Sequence, residues 1–387
     1  MVLHLKMRES RTLPVFFSNT KVFKKIIQNI LTSFNLEIKR KNHFLNTVFF
    51  SKKKIDIKVI EDIFCFHKKI NPLYENLTLP NSLRISKTYI SWFKKDKAEQ
   101  INLIKKNNIK EYKSRIDTLF SNDFNFIKNK NEYMNKKFIS QNHFNDVFFI
   151  YEAVTGRKIE DLSDNNTWSK SGYKTKKGVV SPEDLHTGLQ AHNIFSLIDF
   201  LNSEKKRNNL TILDLGCGIG RTAEKILYFK SKKNINLNII LIDLPLRLTL
   251  AYAYLKKIFP EKKIFLISNK NEIKKISLFK GEKILLIPSI YSKETSREFK
   301  IDILHNQASL SEMNYSAVSM YLNYFVNKNL NFFVETNFNN KSYPSNFLSG
   351  AKQIFSRDFP VPKTHKLLIS FSRVGAPKYV TKIYKKI

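Results

Sequence analysis

The fold of this chain is decided by the stretch Ile212-Leu213-Asp214-Leu215-Gly216-Cys217-Gly218-Ile219-Gly220-Arg221, which places three glycines within five residues. An apolar run at 210–215 predicts a strand, and the pattern at 221–229 predicts a helix. Glycine permits the tight turn and the positive φ angles that such a connection needs. The whole chain has only 10 glycines, so their clustering here favours a ligand-binding loop over an ordinary turn.

The rest of the C-terminal half alternates short β-branched runs with helical patterns. Beyond the glycine loop, strands are predicted at 239–243, 284–287, 301–306 and 330–335, and helices at 246–259 and 316–326. The run 264–268 fits either a further strand or a loop. This alternation predicts an α/β fold built on a Rossmann-like, doubly wound parallel sheet.

The chain ends in a different pattern. Two strands are predicted at 367–372 and 379–384, and residues 374–377 supply a turn between them. Because no helix separates these strands, they predict a C-terminal antiparallel hairpin, in which one strand runs against the rest of the sheet. We expect residues 176–387 to form one domain of this kind.

Residues 1–175 predict a mostly helical region that precedes this domain. Apolar residues recur there at helical spacing, and capping residues mark the helix ends. The expected helices are 22–31 with Asn19 as its cap, 55–67, and one that begins at Ser140 or Asn142 and ends before Gly156. The polar segment 160–177 predicts a linker or a substrate loop.

Two cofactors compete for the glycine loop. A dinucleotide fingerprint requires a third small residue where this chain has Arg221. Asp214 can instead reach the ammonium group of a methionine moiety, and the helix N-terminus can face its carboxylate. Asp243 ends the second strand, where a carboxylate can accept ribose hydroxyls. These features favour S-adenosyl-L-methionine (SAM) over NAD. The predicted SAM-binding residues are Asp214, Gly216, Gly218, Gly220, Asp243 and Leu244.

The formal charge of +34 raises the question of a nucleic-acid partner. Only 12 of the 67 basic residues are Arg, the type that makes bidentate phosphate and base contacts. The lysines are also spread over the whole chain. The excess of lysine over arginine and its even distribution therefore favour a compositional bias, and not nucleic-acid binding, as the origin of the charge.

Two cysteines, Cys65 and Cys217, cannot form a disulfide framework or a zinc cluster, which favours a reducing compartment. The first 17 residues lack the continuous apolar run of a signal peptide. The most apolar stretch, 237–255, contains Asp243, Pro245 and Arg247, which argues against a transmembrane segment. We therefore expect a cytoplasmic protein.

From about residue 175 onward, the sequence resembles the sugar O-methyltransferases that accompany bacterial surface-polysaccharide biosynthesis, a family of class I SAM-dependent methyltransferases. The first matching motif is Asp-Leu-Pro at 243–245, followed by a Leu- and Tyr-rich helix. The second is the run with Asn306, Ser309, Glu312 and Met313. The resemblance implies methyl transfer from SAM to a hydroxyl of a sugar, a nucleotide sugar or a glycan.

The acceptor site is expected at the C-terminal ends of the strands, beside the cofactor. His305 is the first candidate for the general base, although a histidine at a strand end can simply bond the backbone. Glu312 could be the base, orient His305, bind sugar hydroxyls or cap the following helix.

Further residues are weaker candidates for this site. Asn306 and Ser309 are predicted to bind the substrate. Glu335 ends the fifth strand and is a weaker candidate for the base. His186 and His192 could line the methionine pocket or lie at the surface. No recognisable ligand spacing indicates a metal.

Two other functions stay open. A ribose methyltransferase acting on RNA would explain the charge. Amino-methylation of bases is disfavoured because the run 306–309 contains no proline, and cytosine C5 methylation is disfavoured because no cysteine lies there. A non-catalytic binding protein could also keep this fold, although the intact acid and glycine loop argue against it.

Overall fold

The computed structural model describes residues 46–49, 55–75, 102–114, 141–163, 170–205, 209–230, 235–327, 329–339, 354–373 and 376–387. The helix predicted at 22–31, with its cap at Asn19, lies outside the described residues, as does Ser140. The elements that concern the site are numbered below in chain order.

The strands are β1 Asn46–Phe49, β2 Lys170–Lys174, β3 Val179–Val180, β4 Asn209–Leu215, β5 Asn236–Asp243, β6 Ile264–Leu266, β7 Ile284–Pro288, β8 Ile303–Gln307, β9 Phe332–Phe338, β10 His365–Arg373 and β11 Ala376–Lys386. The helices are α1 Ile57–Glu75, α2 Gln141–Thr155, α3 Pro182–Lys205, α4 Arg221–Lys230, α5 Pro245–Ile258, α6 Lys270–Ser277, α7 Ser292–Glu298 and α8 Tyr315–Phe325. Short helical segments also occur at 102–105 and 109–114.

Eight of the described strands form one sheet, in the order β10-β11-β9-β8-β4-β5-β7-β6. The pairs from β9 to β6 are parallel, whereas β11 runs antiparallel to both β9 and β10. The predicted α/β sheet with its C-terminal hairpin is therefore confirmed, and the ambiguous run at 264–268 contains strand β6. Chain order reverses at β4, since β5 lies on one side of it and β8 on the other. Such a switch point creates a crevice at the carboxyl ends of the strands.

The central strands β4, β5, β7, β8 and β9 are buried on both faces, which explains why they are nearly continuous apolar runs, whereas residues 366–372 of the edge strand β10 are exposed. Successive residues of each strand enter two different cores. Ile212 and Ile239 face the core formed with α3, α4 and α5, whereas Leu213 and Ile240 face the core formed with α8. All four of these side chains are fully buried.

The N-terminal part of the described chain packs onto this sheet through α1 and α2. The predicted end of α2 is confirmed, since Gly156 has φ 64° and its N–H bonds the Glu152 carbonyl at 2.9 Å. A small antiparallel sheet, β1-β2-β3, was not expected, and β2 lies within the segment predicted as a linker. The domain boundary near residue 175 stays a prediction. None of the helices that the structure describes has the length and apolarity to span a bilayer.

Candidate functional site

The glycine loop turns sharply away from the end of β4. Gly216, Gly218 and Gly220 have φ angles of 72°, 58° and 82°, the left-handed region that favours glycine. A Cβ on Gly216 would lie 1.9 Å from Ser309 Oγ, so a side chain there would collide with the β8 loop. The Gly216 N–H donates to the Ile242 carbonyl at 2.7 Å, which ties the loop to β5.

Gly218 differs from its two neighbours because a Cβ there would meet no atom within 4 Å. Its N–H donates to Asp243 Oδ2 at 2.8 Å. The loop thus has open space beside Gly218, next to a carboxylate and close to the N-terminus of α4. A concave backbone with a helix N-terminus behind it suits an anionic or zwitterionic ligand.

Asp243 ends β5 and is held by two backbone donors. Its Oδ1 accepts from the Leu244 N–H at 2.7 Å, and its Oδ2 accepts from Gly218. Burial raises the pKa of Asp243 to about 6, although both backbone bonds and nearby Arg247 act in the opposite direction. Each oxygen can accept more than one hydrogen bond, so the fixed carboxylate can still bind hydroxyl groups.

Asp214 and His305 form a pair on neighbouring strands. They are directly paired in the β4–β8 register, and His305 Nδ1 lies 2.8 Å from Asp214 Oδ1. His305 is 0% exposed and Asp214 is 4% exposed. Among the described residues, His305 Nε2 has no hydrogen-bond partner. The predicted base and the predicted ammonium ligand therefore lie together beneath the glycine loop.

Asn306 and Ser309, predicted to bind the substrate, hold the loops together at this edge. Asn306 Nδ2 donates to the Leu215 carbonyl at 2.6 Å and to Ser309 Oγ at 2.5 Å, while Ser309 Oγ also donates to that carbonyl at 3.2 Å. Asn306 is fully buried, and Ser309 is half-buried. These contacts fix the β8 loop against the glycine loop.

Glu335, a weaker candidate for the base, is fully buried in the same network. Its Oε2 accepts from Asn337 Nδ2 at 2.9 Å, and its Oε1 accepts from the Ser356 hydroxyl. Asn337 Nδ2 also donates to Asn306 Oδ1 at 2.9 Å. Burial raises the pKa of Glu335 to about 7. This carboxyl group ties β9 to the segment Ser356–Asp358.

Glu312 is solvent-exposed at the end of a 3₁₀ turn, Leu310–Glu312, that follows β8. Although the residue as a whole is exposed, the surrounding protein desolvates its carboxyl group and raises its pKa to about 7, with Arg247 opposing this shift and Asp243 adding to it. These interactions bring Glu312 into the same electrostatic environment as Asp243. It does not cap α8, because the N-cap is Asn314, whose Oδ1 accepts from the Ala317 N–H at 2.9 Å.

The two histidines before β4 both lie on α3. Arg373 Nε donates to His186 Nδ1 at 3.1 Å, which links α3 to the end of β10. His192 is half-buried, and burial together with Arg157 lowers its pKa. Their role at the methionine pocket stays a prediction. In the part of the chain that the structure describes, no three His, Cys, Asp or Glu side chains are grouped as metal ligands.

Sequence reasoning missed a buried ionic cluster behind the glycine loop. Lys225, on α4, is 0% exposed, and its Nζ lies 3.0 Å from Glu224 Oε1 and 3.2 Å from Asp184 Oδ1. Tyr254 on α5 donates to Glu224 Oε2 at 2.6 Å. The cluster fixes α4, and therefore its N-terminus, between α3 and α5.

No protein-family model matches the chain, and no curated protein matches it significantly. Several solved structures are similar to part of it. One, described as a pericyclic reaction enzyme, is 13% identical over 49% of this chain and 47% of its own, with a TM-score of 0.33. Magnesium protoporphyrin IX methyltransferase from Synechocystis, with bound SAH (S-adenosylhomocysteine), is 12% identical over 54% of this chain and 90% of its own, with a TM-score of 0.35.

A third similar structure is mitomycin 7-O-methyltransferase, 13% identical over 46% of this chain and 49% of its own, with a TM-score of 0.31. The chain thus spans about half the length of the first of these structures. Function must be inferred from the residues of the site itself.

Proposed function

We propose that this chain is a SAM-dependent O-methyltransferase that binds its cofactor at the carboxyl ends of β4 and β5. The observation that carries the proposal is the geometry of Gly218. This residue has a positive φ, open space where a Cβ would point, and an N–H bonded to the Asp243 carboxylate. The backbone of the glycine loop, the N-terminus of α4 and the Asp243 carboxylate thus all lie beside one open position. A ligand that joins a nucleoside to an amino acid requires such a combination of groups.

The residues present fit SAM from one end to the other. The glycine loop and the N-terminus of α4 would hold the methionine carboxylate. Asp214, oriented by His305, would face the ammonium group, directly or through water. Asp243 would accept the ribose hydroxyls, and Leu244 would pack beside the nucleoside.

When bound, SAM supplies an electrophilic methyl group. The chain must then hold an acceptor hydroxyl in line with that methyl and remove its proton. Glu312 is suited to the proton transfer because it is solvent-accessible and has a pKa of about 7, close to the pH at which it would act. His305 would be the base instead if its buried Nε2 became accessible to the acceptor.

We propose a sugar, as a nucleotide sugar or glycan, as the acceptor. Glu312 and Arg247 supply charged hydrogen-bonding groups beside Asp243, of the kind that bind vicinal hydroxyls. The Asp-Leu-Pro motif and the run from Asn306 to Met313 support this class, because the sugar O-methyltransferase family carries the same motifs.

The test combines binding with turnover. Calorimetry should detect SAM and SAH binding to wild type, and Asp243→Ala should weaken it. Methyl transfer from labelled SAM is then assayed on nucleotide sugars, glycans and structured RNA. Methylation of a sugar would support the proposal, and methylation of an RNA ribose would replace the sugar acceptor with RNA. SAM binding without transfer to any acceptor would favour a binding protein, and absence of SAM binding would refute the proposal.

A further inference from the structure

Helix α1 packs against α5, the helix that follows Asp243 and Leu244. It is joined to α5 by two side-chain contacts. Tyr252 on α5 donates to Asp62 Oδ2 at 2.6 Å, and His67 Nε2 lies 3.3 Å from Thr249 Oγ1. The helix also contributes to the cores on both faces of the sheet, with Ile60 and Ile63 in one and Phe66 and Ile70 in the other. Helix α1 therefore contributes apolar side chains to both cores.

The last turn of α1 reaches the carboxyl end of β7 through Tyr74. The Tyr74 hydroxyl lies 2.9 Å from Ser289 Oγ and accepts from the Ile290 N–H at 3.2 Å. Ser289 directly follows Pro288, which is paired with Asp243 in the β5–β7 register. Tyr74 is therefore beside the strand end that carries the predicted ribose ligand.

Electrostatics support this proximity. The Asp243 carboxylate adds to the burial that raises the pKa of the Tyr74 hydroxyl. Tyr321, on α8, is also buried, and Asp243 contributes in the same direction to its pKa of about 12. Two tyrosines that are far apart in the sequence thus both lie near Asp243.

The order of the strands indicates the direction in which a bound nucleoside would extend along the sheet. The glycine loop at the end of β4 would hold the methionine part, and Asp243 at the end of β5 would hold the ribose. Strand β7 is the next in the sheet. A base attached to that ribose would continue toward the end of β7, where Tyr74, Ser289 and Ile290 meet.

We propose that Tyr74 forms the wall of an adenine-binding subsite, so that the N-terminal region completes the cofactor pocket. This inference rests on the proposed function, because it assumes an adenosine group on Asp243. It gives α1 a role in ligand binding in addition to packing. The cofactor site then includes a residue outside the predicted domain 176–387.

The test compares Tyr74→Leu and Tyr74→Phe with wild type by calorimetry, with SAH and with adenosine as ligands. Leucine keeps much of the apolar volume that the fold requires but removes the aromatic ring. Replacing an aromatic residue that stacks on a base with alanine commonly weakens binding by about 5- to 150-fold. Tyr74→Leu should therefore lose affinity within that range. The loss should be equal for SAH and adenosine, because Tyr74 would touch only the base. Tyr74→Phe should keep most of the affinity.

Tyr112→Leu is the matched control. Tyr112 is fully buried in the N-terminal region and packs its ring 4.8 Å from that of Phe64. This variant should lose stability but keep SAH affinity. An equal loss in Tyr112→Leu, or unchanged affinity in folded Tyr74→Leu, would overturn the subsite while leaving SAM binding intact. If wild type binds neither ligand, the proposed function fails and the subsite fails with it.

Discussion

His305 Nδ1 lies 2.8 Å from Asp214 Oδ1, and both side chains are buried at the adjoining ends of β8 and β4. An imidazole that donates from Nδ1 keeps the Asp214 side chain in one orientation, as in other carboxylate–histidine pairs. His305, the first candidate for the general base, is thus hydrogen-bonded to Asp214, which is predicted to bind the cofactor. We therefore expect His305 to position Asp214.

The first prediction separates positioning from proton transfer. His305→Ala would leave the buried Asp214 carboxylate without its donor, so SAM affinity should fall together with turnover. His305→Asn can still donate to Asp214 and should recover much of the affinity. Calorimetry with SAM and a methyl-transfer assay measure the two effects. If SAM affinity is unchanged while turnover falls by about 10²- to 10⁴-fold, His305 is the general base instead.

The second prediction concerns the open space at Gly218. Gly218→Val should weaken SAM binding strongly, because the new side chain would occupy the proposed position of the cofactor. Gly281→Val is the matched control, since Gly281 also has a positive φ, 93°, and open space, but precedes the opposite end of β7. Both variants should lose stability by about 1–2 kcal/mol or more from backbone strain. SAM affinity should fall only in Gly218→Val, and equal affinities would contradict the assignment of the loop.

The strands and the glycine loop could be predicted because their signals are local. Strands such as β5 are apolar runs covered on both faces, and the close approach of Gly216 to Ser309 requires glycine. Helix α3 was missed, although a signal was present. Ser181 and Asp184 cap it reciprocally, with the Asp184 N–H 3.2 Å from Ser181 Oγ and the Ser181 N–H 2.8 Å from Asp184 Oδ2.

Other features had no local signal. Lys225 looks like one more solvated lysine in a lysine-rich chain, and only the fold brings it to Glu224 and Asp184 in the interior. Tyr74 is 169 residues from Asp243 in sequence, and nothing near it indicates that α1 reaches the end of β7. Contacts of this kind are set by tertiary packing, so single-sequence patterns do not reveal them.

The third prediction concerns Asp243 and pH. Asp243→Ala should cost about 1.5–3 kcal/mol of SAM binding, or roughly 10- to 150-fold in affinity. In wild type the ionised carboxylate would accept the ribose hydroxyls, and burial raises its pKa to about 6. Affinity should therefore decrease as pH falls below about 6 and stay level above it. Calorimetry from pH 5 to 8 tests this, and a flat profile in wild type would remove Asp243 from the ribose site.

The fourth prediction concerns stability. Glu335 is fully buried, and its pKa is raised from 4.5 to about 7. Between these values the folded state holds a proton that the unfolded state releases, so the free energy of unfolding should fall as pH rises from 4.5 to 7. The upper bound of this contribution is about 3 kcal/mol. Urea unfolding at a series of pH values measures this dependence. Glu335→Gln should flatten the dependence of the free energy of unfolding on pH, whereas Asp358→Asn, on the exposed part of the adjoining turn, should not. Equal slopes in all three proteins would contradict the burial of a titrating Glu335.

The last prediction assigns the proton acceptor. Glu312 has a pKa of about 7 and can accept a proton only when ionised, so turnover should rise with pH and level off above about 7. Glu312→Gln should lose about 10²- to 10⁴-fold in turnover at pH 8 while SAM affinity stays near wild type. Glu298→Gln, at an exposed position on α7, is the control and should behave as wild type. If the loss in Glu312→Gln appears only in the KM for the acceptor, Glu312 binds sugar hydroxyls and another group takes the proton. If Glu312→Gln and His305→Ala both keep full turnover on a substrate that wild type methylates, the acceptor site does not lie at the end of β8.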